Sequence, residues 1–194
     1  MFEQIVKERE KELRQKNILE VRCNINQSDY QLKIRNFSEK TGFSMEEITN
    51  KIMTDNLFVF FFAKDPKKQN FIEKLVSELL KVDKLPASGS KCIRFNQNGD
   101  IVSINSGDVS KSADFFIDGV YYTQKYTNES GGSQDNQYND VRDFLIKGSK
   151  QHKVGAIVDG AYWDNKRTQL KNMFAENDNV IITTVDELLE GISK

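Results

Sequence analysis

The residues best suited to chemistry lie in the stretch from Lys111 to Gln137. Asp114 enters an apolar run that turns at Asp118-Gly119, a dipeptide that favours a tight hairpin because glycine accepts a positive φ. Lys125 lies near the end of the β-favouring run that follows the turn. Two strands joined in this way bring Asp114 and Lys125 close enough across the ladder to share a site.

A polar loop follows the second strand and has the sequence Glu129-Ser130-Gly131-Gly132-Ser133-Gln134. Its glycines allow main-chain N–H groups to approach a phosphate. The acid, the lysine and this loop together indicate phosphate-ester chemistry. The residues also allow simpler roles: Asp114 as a strand-end carboxylate bonded to the main chain, Lys125 as a surface lysine, and the loop as a plain connection.

This stretch resembles the active-site region of the PD-(D/E)xK nucleases, and among them the type II restriction endonucleases. In that family an aspartate at the start of one strand is followed by a hydrophobic strand ending in acid-x-Lys, and a helix comes next. Asp114 matches the first position and Lys125 matches the lysine, whereas Thr123 stands where the second acid belongs. The resemblance covers roughly residues 65–190.

The resemblance implies Mg²⁺-dependent, sequence-specific hydrolysis of duplex DNA by a homodimer. Asp114 and the Gln124 carbonyl would bind the ion, and Lys125 would hold or deprotonate the attacking water. Thr123 offers only a hydroxyl, so the missing negative charge has to come from elsewhere. The candidates, in order, are Glu73, Glu129 and Asp118. Glu73 is otherwise an ordinary surface glutamate, and Asp118 is otherwise simply the turn residue.

Two segments are predicted to contact DNA. The first is the loop and the start of the next helix, where amide side chains suit the adenine edge; its residues are Glu129, Ser130, Gly131, Gly132, Ser133, Gln134, Asn136 and Gln137. The second resembles a helix-turn-helix, with a first helix ending at Gly42 and a second starting at Ser44, where Glu47 completes a capping box. Its predicted contacts are Thr49, Asn50 and Lys51, and a purely structural helix pair is the alternative.

The composition limits the possible chemistry. The chain has 194 residues and a formal net charge of −1, so a DNA site would need its own local basic lining. Its single histidine excludes nucleases and zinc hydrolases that need several histidines or His/Cys clusters, and its two cysteines cannot form a disulfide framework. Any phosphodiester cleavage must therefore use carboxylates, lysine and a cation bound through oxygen, such as Mg²⁺.

The expected location is the cytoplasm, with no membrane partner. No apolar run approaches the ~20 residues of a membrane span. The N-terminal sequence MFEQIVKEREKELRQK is too charged for a signal peptide. The aromatic run at positions 57–62 is expected to be a buried segment.

The predicted order of elements is helix, antiparallel strands, helix, strand, helix, strand, helix. This is a mixed α/β fold, with a central β-sheet flanked by helices (restriction-endonuclease-like) and an N-terminal helical segment. The expected division is 1–62, helical, and 63–194, the catalytic core. Asp65-Pro66 predicts the start of a helix that runs to about Val82, and residues 154–158 form a strand buried on both faces. Thr184 and Glu187 predict a capping box.

Other interpretations of the sequence are open or excluded by its motifs. The residue Thr123 favours a DNA-binding protein that keeps the nuclease fold without activity. A GIY-YIG nuclease is excluded because no second triplet follows Gly119-Val120-Tyr121 at the required distance. A nucleotide-binding enzyme is not expected, since neither GxxxxGK[ST] nor GxGxxG occurs after a predicted strand.

Overall fold

The computed structural model of the chain describes residues 1–66, 70–103, 107–128 and 132–191. The chain divides into two compact units, Gln4–Phe71 and a second unit made of Met1–Glu3 and Ile72–Lys194. Among the described helices, none has the length and apolar content needed to cross a membrane.

The unit Gln4–Phe71 is helical. Its helices are α1 (Phe2–Cys23), α2 (Ser28–Thr41), α3 (Met45–Thr54) and a 3₁₀ helix (Phe58–Phe61). Gly42 ends α2 with a φ of 79°, the left-handed conformation that glycine adopts without steric cost. The Ser44 hydroxyl accepts the Glu47 N–H, and the Glu47 carboxylate accepts the Ser44 N–H at 2.8 Å. The predicted turn and capping box are thus confirmed.

The core of the helical unit includes Ile34, Ile48 and Ile52, all fully buried. The expectation that the aromatic run at 57–62 is buried is wrong for much of it, since Leu57 is 76% exposed and Phe61 is 72% exposed. A 3₁₀ helix has about three residues per turn, so residues three apart share a face. Val59 and Phe62 turn inward and Phe58 packs half-buried against the core, whereas Leu57, Phe60 and Phe61 are exposed.

The second unit is an α/β structure built on a mixed sheet. Its elements are α4 (Phe71–Leu80), β1 (Arg94–Phe95), β2 (Ile101–Val102), β3 (Phe115–Ile117), β4 (Val120–Tyr126), α5 (Gly132–Gly148), β5 (Val154–Asp159), α6 (Trp163–Met173), β6 (Val180–Thr183) and α7 (Val185–Leu189). In the described residues the main sheet has four strands in the order β3-β4-β5-β6, with β3 antiparallel to β4 and the other neighbours parallel. The β1 and β2 strands form a separate antiparallel pair. A mixed α/β fold, as expected, is therefore present.

Strand β5 forms the centre of this sheet and is buried along its whole length. Its neighbours β4 and β6 run parallel to it, which requires the crossover helices α5 and α6. The α5 residues Val141, Phe144 and Leu145 are fully buried and share one apolar cluster with Val154, Ala156 and Val158 of β5 and with Trp163 and Leu170 of α6. The prediction of a strand buried on both faces is confirmed.

Helix α4 is shorter than predicted at both ends. The helix begins at Phe71 rather than at Pro66, because Asn70 has a φ of 52°, a left-handed conformation through which an α-helix cannot continue. It ends at Leu80 rather than near Val82, because Lys81 has a φ of 55°. Residues 67–69 lie outside the described residues.

The hairpin of β3 and β4 closes at Asp118-Gly119, where both residues have a positive φ, 49° and 82°. These values match the two-residue type I′ turn that the dipeptide predicts. The chain before β3 turns away from β4, because the Ala113 N–H donates to the Ile93 carbonyl at 2.8 Å and the Ser110 N–H donates to the Phe95 carbonyl. The hairpin ladder with β3 therefore stops at Tyr122. Within the described residues no strand pairs with the outer edge of β4 beyond that point, and this unpaired stretch is called the open edge of β4.

Candidate active site

Asp114 lies where the hairpin ladder stops. The Asp114 N–H donates to the Tyr122 carbonyl at 2.7 Å, although Phe115 is the ladder partner of Tyr122. Asp114 and Phe115 therefore both oppose Tyr122, which is the arrangement of a β-bulge. A bulge changes the direction of the side chain at that position, here that of Asp114. The Asp114 carboxylate accepts the Gln124 N–H at 2.8 Å. The carboxylate thus takes the place of a strand partner for Gln124. The role of Asp114 as a strand-end carboxylate bonded to the main chain, considered from the sequence, is confirmed.

Lys125 converges on the same place. Its Nζ lies 3.9 Å from Asp114 Oδ2 and donates to the Gln124 carbonyl at 2.9 Å. The Lys125 side chain keeps 25% of its surface exposed, whereas that of Asp114 keeps 9%. A buried carboxylate and a partly exposed ammonium therefore share the open edge of β4, and the predicted convergence of the two residues is confirmed.

Thr123 stands between them on the same face as Lys125, since side chains two residues apart in a strand point the same way. Its hydroxyl lies 3.4 Å from Asp114 Oδ2 and is buried. That distance is long for an O–H···O hydrogen bond. Thr123 therefore adds a weak neutral contact to Asp114 at the position where a carboxylate would add charge.

A second pair of charges approaches Asp114 from the other side of β3. Glu73 on α4 forms an ion pair with Lys84, and both side chains are about three-quarters buried. Lys84 forms an isolated antiparallel bridge with Phe115, and the next residue, Leu85, donates its N–H to the Asp114 carbonyl at 2.8 Å. Main-chain pairing thus places the Glu73–Lys84 pair beside the aspartate.

The electrostatics of the site act on the Asp114 carboxyl. Burial raises its pKa above the ordinary value, and the charge of Lys125 and the Gln124 N–H oppose that rise. The charge of Glu73 raises the pKa further, whereas that of Lys84 lowers it. The pKa remains raised, so a proton binds this carboxylate more tightly than it binds an exposed aspartate.

The oxygen atoms gathered here suit a magnesium ion in type. Asp114, Glu73 and the Gln124 carbonyl supply the hard oxygen ligands that Mg²⁺ prefers, and this ion keeps several of its waters. Within the described ranges, no group of three or more His, Cys, Asp or Glu side chains is placed to hold a metal. Asp114, Glu73 and the Gln124 carbonyl are the groups of this site that would hold such an ion. Both Glu73 and the Gln124 carbonyl are at present bonded to lysines.

One of the two remaining acid candidates lies away from this site. Asp118 is a turn residue at the far end of β4 from Lys125, so its proposed role as the substitute acid is wrong. Glu129 lies outside the described residues. Of the two candidates that the structure describes, Glu73 is the one whose charge acts on the Asp114 carboxyl.

The predicted DNA-contacting loop is only partly described. Glu129, Ser130 and Gly131 lie outside the described residues, as do the side chains of Ser133 and Gln134, and Gly132 begins α5. Asn136 is exposed. Gln137 instead accepts a hydrogen bond from the Thr127 hydroxyl at 2.9 Å, so its carbonyl oxygen is already used inside the fold.

The three contacts predicted on the helical unit differ in how available they are. The Thr49 hydroxyl donates to the Met45 carbonyl at 2.8 Å, within its own helix. Asn50 is exposed, and the exposed Lys51 lies with its Nζ 5.7 Å from the centre of the Phe58 ring. The first turn of α3 presents Glu46 and Glu47, and a recognition helix usually meets base edges with its N-terminal residues. Carboxylates there repel DNA phosphates and oppose this docking.

Two charged residues near the sheet were not anticipated. Lys84 carries no local sequence signal, because a long-range bridge to β3 brings it to the site. Asp159, at the end of β5, accepts the Val185 N–H at 3.2 Å, and burial raises its pKa to about 7. An acid that ends a continuous apolar strand was the available signal, since ligands bind beyond the carboxyl ends of parallel strands.

Comparisons with known proteins yield no relative for this site: no protein-family model, no curated protein and no solved structure matches the chain.

Proposed function

We propose that this protein is a Mg²⁺-dependent, site-specific deoxyribonuclease that hydrolyses phosphodiester bonds of duplex DNA in the manner of a type II restriction endonuclease. The observation that carries the proposal is the convergence of Asp114 and Lys125 at an open strand edge, 3.9 Å apart. A carboxylate and an ammonium group in contact, one buried and one partly exposed, suit a reaction on an anionic phosphate. The approach of Glu73 supports the proposal further, because it supplies the second acid that Thr123 does not.

Each residue of the site has a role that follows from its position. Asp114 and Glu73 would hold the cation, together with the Gln124 carbonyl. A bound Mg²⁺ would neutralise charge on the phosphate as the bond to its leaving oxygen breaks. Lys125 would orient the attacking water, or deprotonate it once its own amine is neutral, because its Nζ lies 3.9 Å from Asp114 Oδ2 and is partly exposed. Thr123 would steady the carboxylate of Asp114 through its hydroxyl.

The finer parts of the proposal rest on the same site. A restriction-endonuclease-like fold is supported by the mixed sheet, in which the hairpin carrying Asp114 and Lys125 leads through α5 into a parallel strand. A homodimer would supply one site for each DNA strand. Asn136, Asn50 and Lys51 remain candidate DNA contacts because they are exposed. The proposed reaction belongs in the cytoplasm, where duplex DNA is accessible to such an enzyme.

A second candidate function is DNA binding without cleavage. It is favoured by Thr123, which leaves the site with one carboxylate on the hairpin, and by the ion pair that occupies Glu73. Such a protein would retard duplex DNA in a gel and leave it intact in Mg²⁺. Cleavage assays therefore separate the two candidates directly.

The test is incubation of plasmid or phage DNA with the protein in Mg²⁺, followed by mapping of fragment ends. Wild type and Lys91→Ala, which alters an exposed lysine of a loop in the same unit, should give discrete fragments. Lys125→Ala should give none. Equal cleavage by Lys125→Ala would contradict the role assigned to Lys125, and intact DNA with every variant would leave DNA binding as the better account.

A further inference from the structure

The ion pair of Glu73 and Lys84 places an extra cation at the candidate site. Lys84 holds its ammonium against the Glu73 carboxylate, and 28% of the lysine side chain is exposed. Its main chain is fixed by the bridge to Phe115 and by the bond from the neighbouring Leu85 to the Asp114 carbonyl. Lys84 is therefore anchored beside the site by its backbone, and its partly exposed ammonium group is held by Glu73 alone among the contacts described.

The charges of the site cancel. Asp114 and Glu73 contribute two negative charges, and Lys125 and Lys84 contribute two positive charges. The two pairs interact electrostatically, since the charges of Glu73 and Lys84 both act on the Asp114 carboxyl. With a neutral threonine at position 123, no net negative charge is left among these groups to attract a divalent cation.

We propose that Lys84 is an internal cation that occupies Glu73 and competes with the divalent metal ion for it. A phosphate of the DNA backbone pairs with an exposed ammonium group, and drawing Lys84 away from Glu73 frees that carboxylate for the ion. The ion and the DNA then bind cooperatively, and the free protein binds the ion weakly. This inference rests on the proposed function, because it assumes that the carboxylates of this site hold a metal ion.

The same geometry sets the size of the effect. A unit positive charge a few ångströms from a divalent ion is worth at least about a tenfold change in Kd at the effective dielectric of a half-buried site. Lys84→Met keeps the aliphatic stem and removes the charge, so it should raise the affinity of the free protein for the ion by at least that factor. Lys84→Arg keeps the charge and should behave like wild type.

The test is calorimetric titration of the purified proteins with Mn²⁺, which accepts the same oxygen ligands as Mg²⁺. Lys74→Met is the matched control, since Lys74 is an exposed lysine on the same helix as Glu73. Far-UV circular dichroism and melting curves first establish that each variant is folded. Tighter binding by Lys84→Met alone supports the inference. Equal binding by all four proteins, or binding by none, overturns it.

A separate cleavage assay keeps this inference distinct from the proposed function. If Lys84→Met binds Mn²⁺ more tightly and leaves DNA intact, as does wild type, the inference holds and the nuclease proposal fails. If wild type cuts DNA and Lys84→Met binds Mn²⁺ no more tightly, the inference fails and the nuclease proposal stands. Duplex DNA added to wild type should in addition tighten its Mn²⁺ binding more than it tightens that of Lys84→Met.

Discussion

Two buried aspartates stand at strand ends of the same sheet and differ in their surroundings. Asp114 precedes β3 and Asp159 ends β5, and each accepts a main-chain N–H, from Gln124 and from Val185 respectively. Burial raises the pKa of both. Asp114, however, has the ammonium of Lys125 at 3.9 Å, and the charges of a further lysine and glutamate reach it. Asp159 has the Val185 N–H as its hydrogen-bond partner, and the charges of Arg167, Asp186 and Glu187 also act on it.

The difference separates a carboxyl with a charged group beside it from one whose hydrogen-bond partner is the main chain. A buried acid with only a main-chain partner can exchange a proton with solvent but has no second group with which to act on a substrate. Asp114 has both a cation beside it and an open strand edge in front of it. A raised pKa alone therefore does not identify an active site. The two carboxyls are distinguished by the other groups that lie within reach of each.

The largest effect should come from removing the charge of Asp114. Under the proposed function, Asp114→Asn should lower Mg²⁺-dependent nicking of supercoiled plasmid by at least about 10²-fold, because it would remove a negative ligand of the metal ion. The amide oxygen can still accept the Gln124 N–H, so the hydrogen bond between residue 114 and β4 should be kept. Initial rates in Mg²⁺ measure the loss.

Asp159→Asn is the matched control in that assay, since it makes the same change at the other buried strand end. Its nicking rate should stay near that of wild type. An equal loss of activity in both variants would break the distinction between the two carboxyls.

A smaller effect should appear in the pH dependence of stability. The pKa of Asp159 rises on folding from 3.8 to about 7. The folded protein therefore holds this proton more tightly than the unfolded chain, so its stabilising contribution is full below pH 3.8 and is lost as the pH rises through about 7. Asp159→Asn should flatten this decline by a few degrees in Tm, since about 1 kcal/mol shifts Tm by about 2–4 °C in a domain of this size.

Melting curves of wild type and Asp159→Asn between about pH 4 and pH 8 test this prediction. The two Tm profiles should differ in slope across that interval. Parallel profiles would show that Asp159 does not carry a raised pKa in the folded protein. Asp159 could then no longer be compared with Asp114 as a second carboxyl with a raised pKa.

The smallest effect should come from Thr123. Thr123→Val has nearly the same shape and removes only a hydroxyl that lies 3.4 Å from Asp114 Oδ2. A net contribution of about 0.5–1.5 kcal/mol for a hydrogen bond limits the loss of nicking activity to about tenfold. Thr123→Ser retains the hydroxyl and should retain the rate. A loss as large as that of Asp114→Asn would instead make the Thr123 hydroxyl a principal part of the site.

Local sequence signals predicted the parts of the fold whose geometry is set locally. The turn at Asp118-Gly119 and the capping boxes at Ser44 and Thr184 depend on residues within a few positions of one another, and each is present. The end points of α4 were wrong because they depend on left-handed conformations at Asn70 and Lys81. Neither asparagine nor lysine indicates a left-handed conformation from the sequence as glycine does.

The candidate site was predictable where one hairpin supplies it and not where distant chain segments meet. Asp114 and Lys125 lie on adjoining strands, so the turn alone brings them together. Lys84 reaches the same place through a bridge to Phe115, and Glu73 follows through its ion pair with Lys84. The aromatic run at 57–62 failed as a buried segment for a related reason, since apolar composition does not reveal which side of a 3₁₀ helix meets the core.

The carboxylate of Asp114 both accepts the Gln124 N–H of β4 and lies 3.9 Å from the ammonium of Lys125, and these two contacts limit which residues can replace it. Glutamate keeps the charge but carries its oxygens one methylene further out, beyond the Gln124 N–H, and asparagine keeps that bond but loses the charge. Thr123 by itself supplies neither the negative charge nor the acceptor for the Gln124 N–H. Under the proposed function, related sequences should therefore keep aspartate at position 114, whereas position 123 should accept other residues small enough for its buried place.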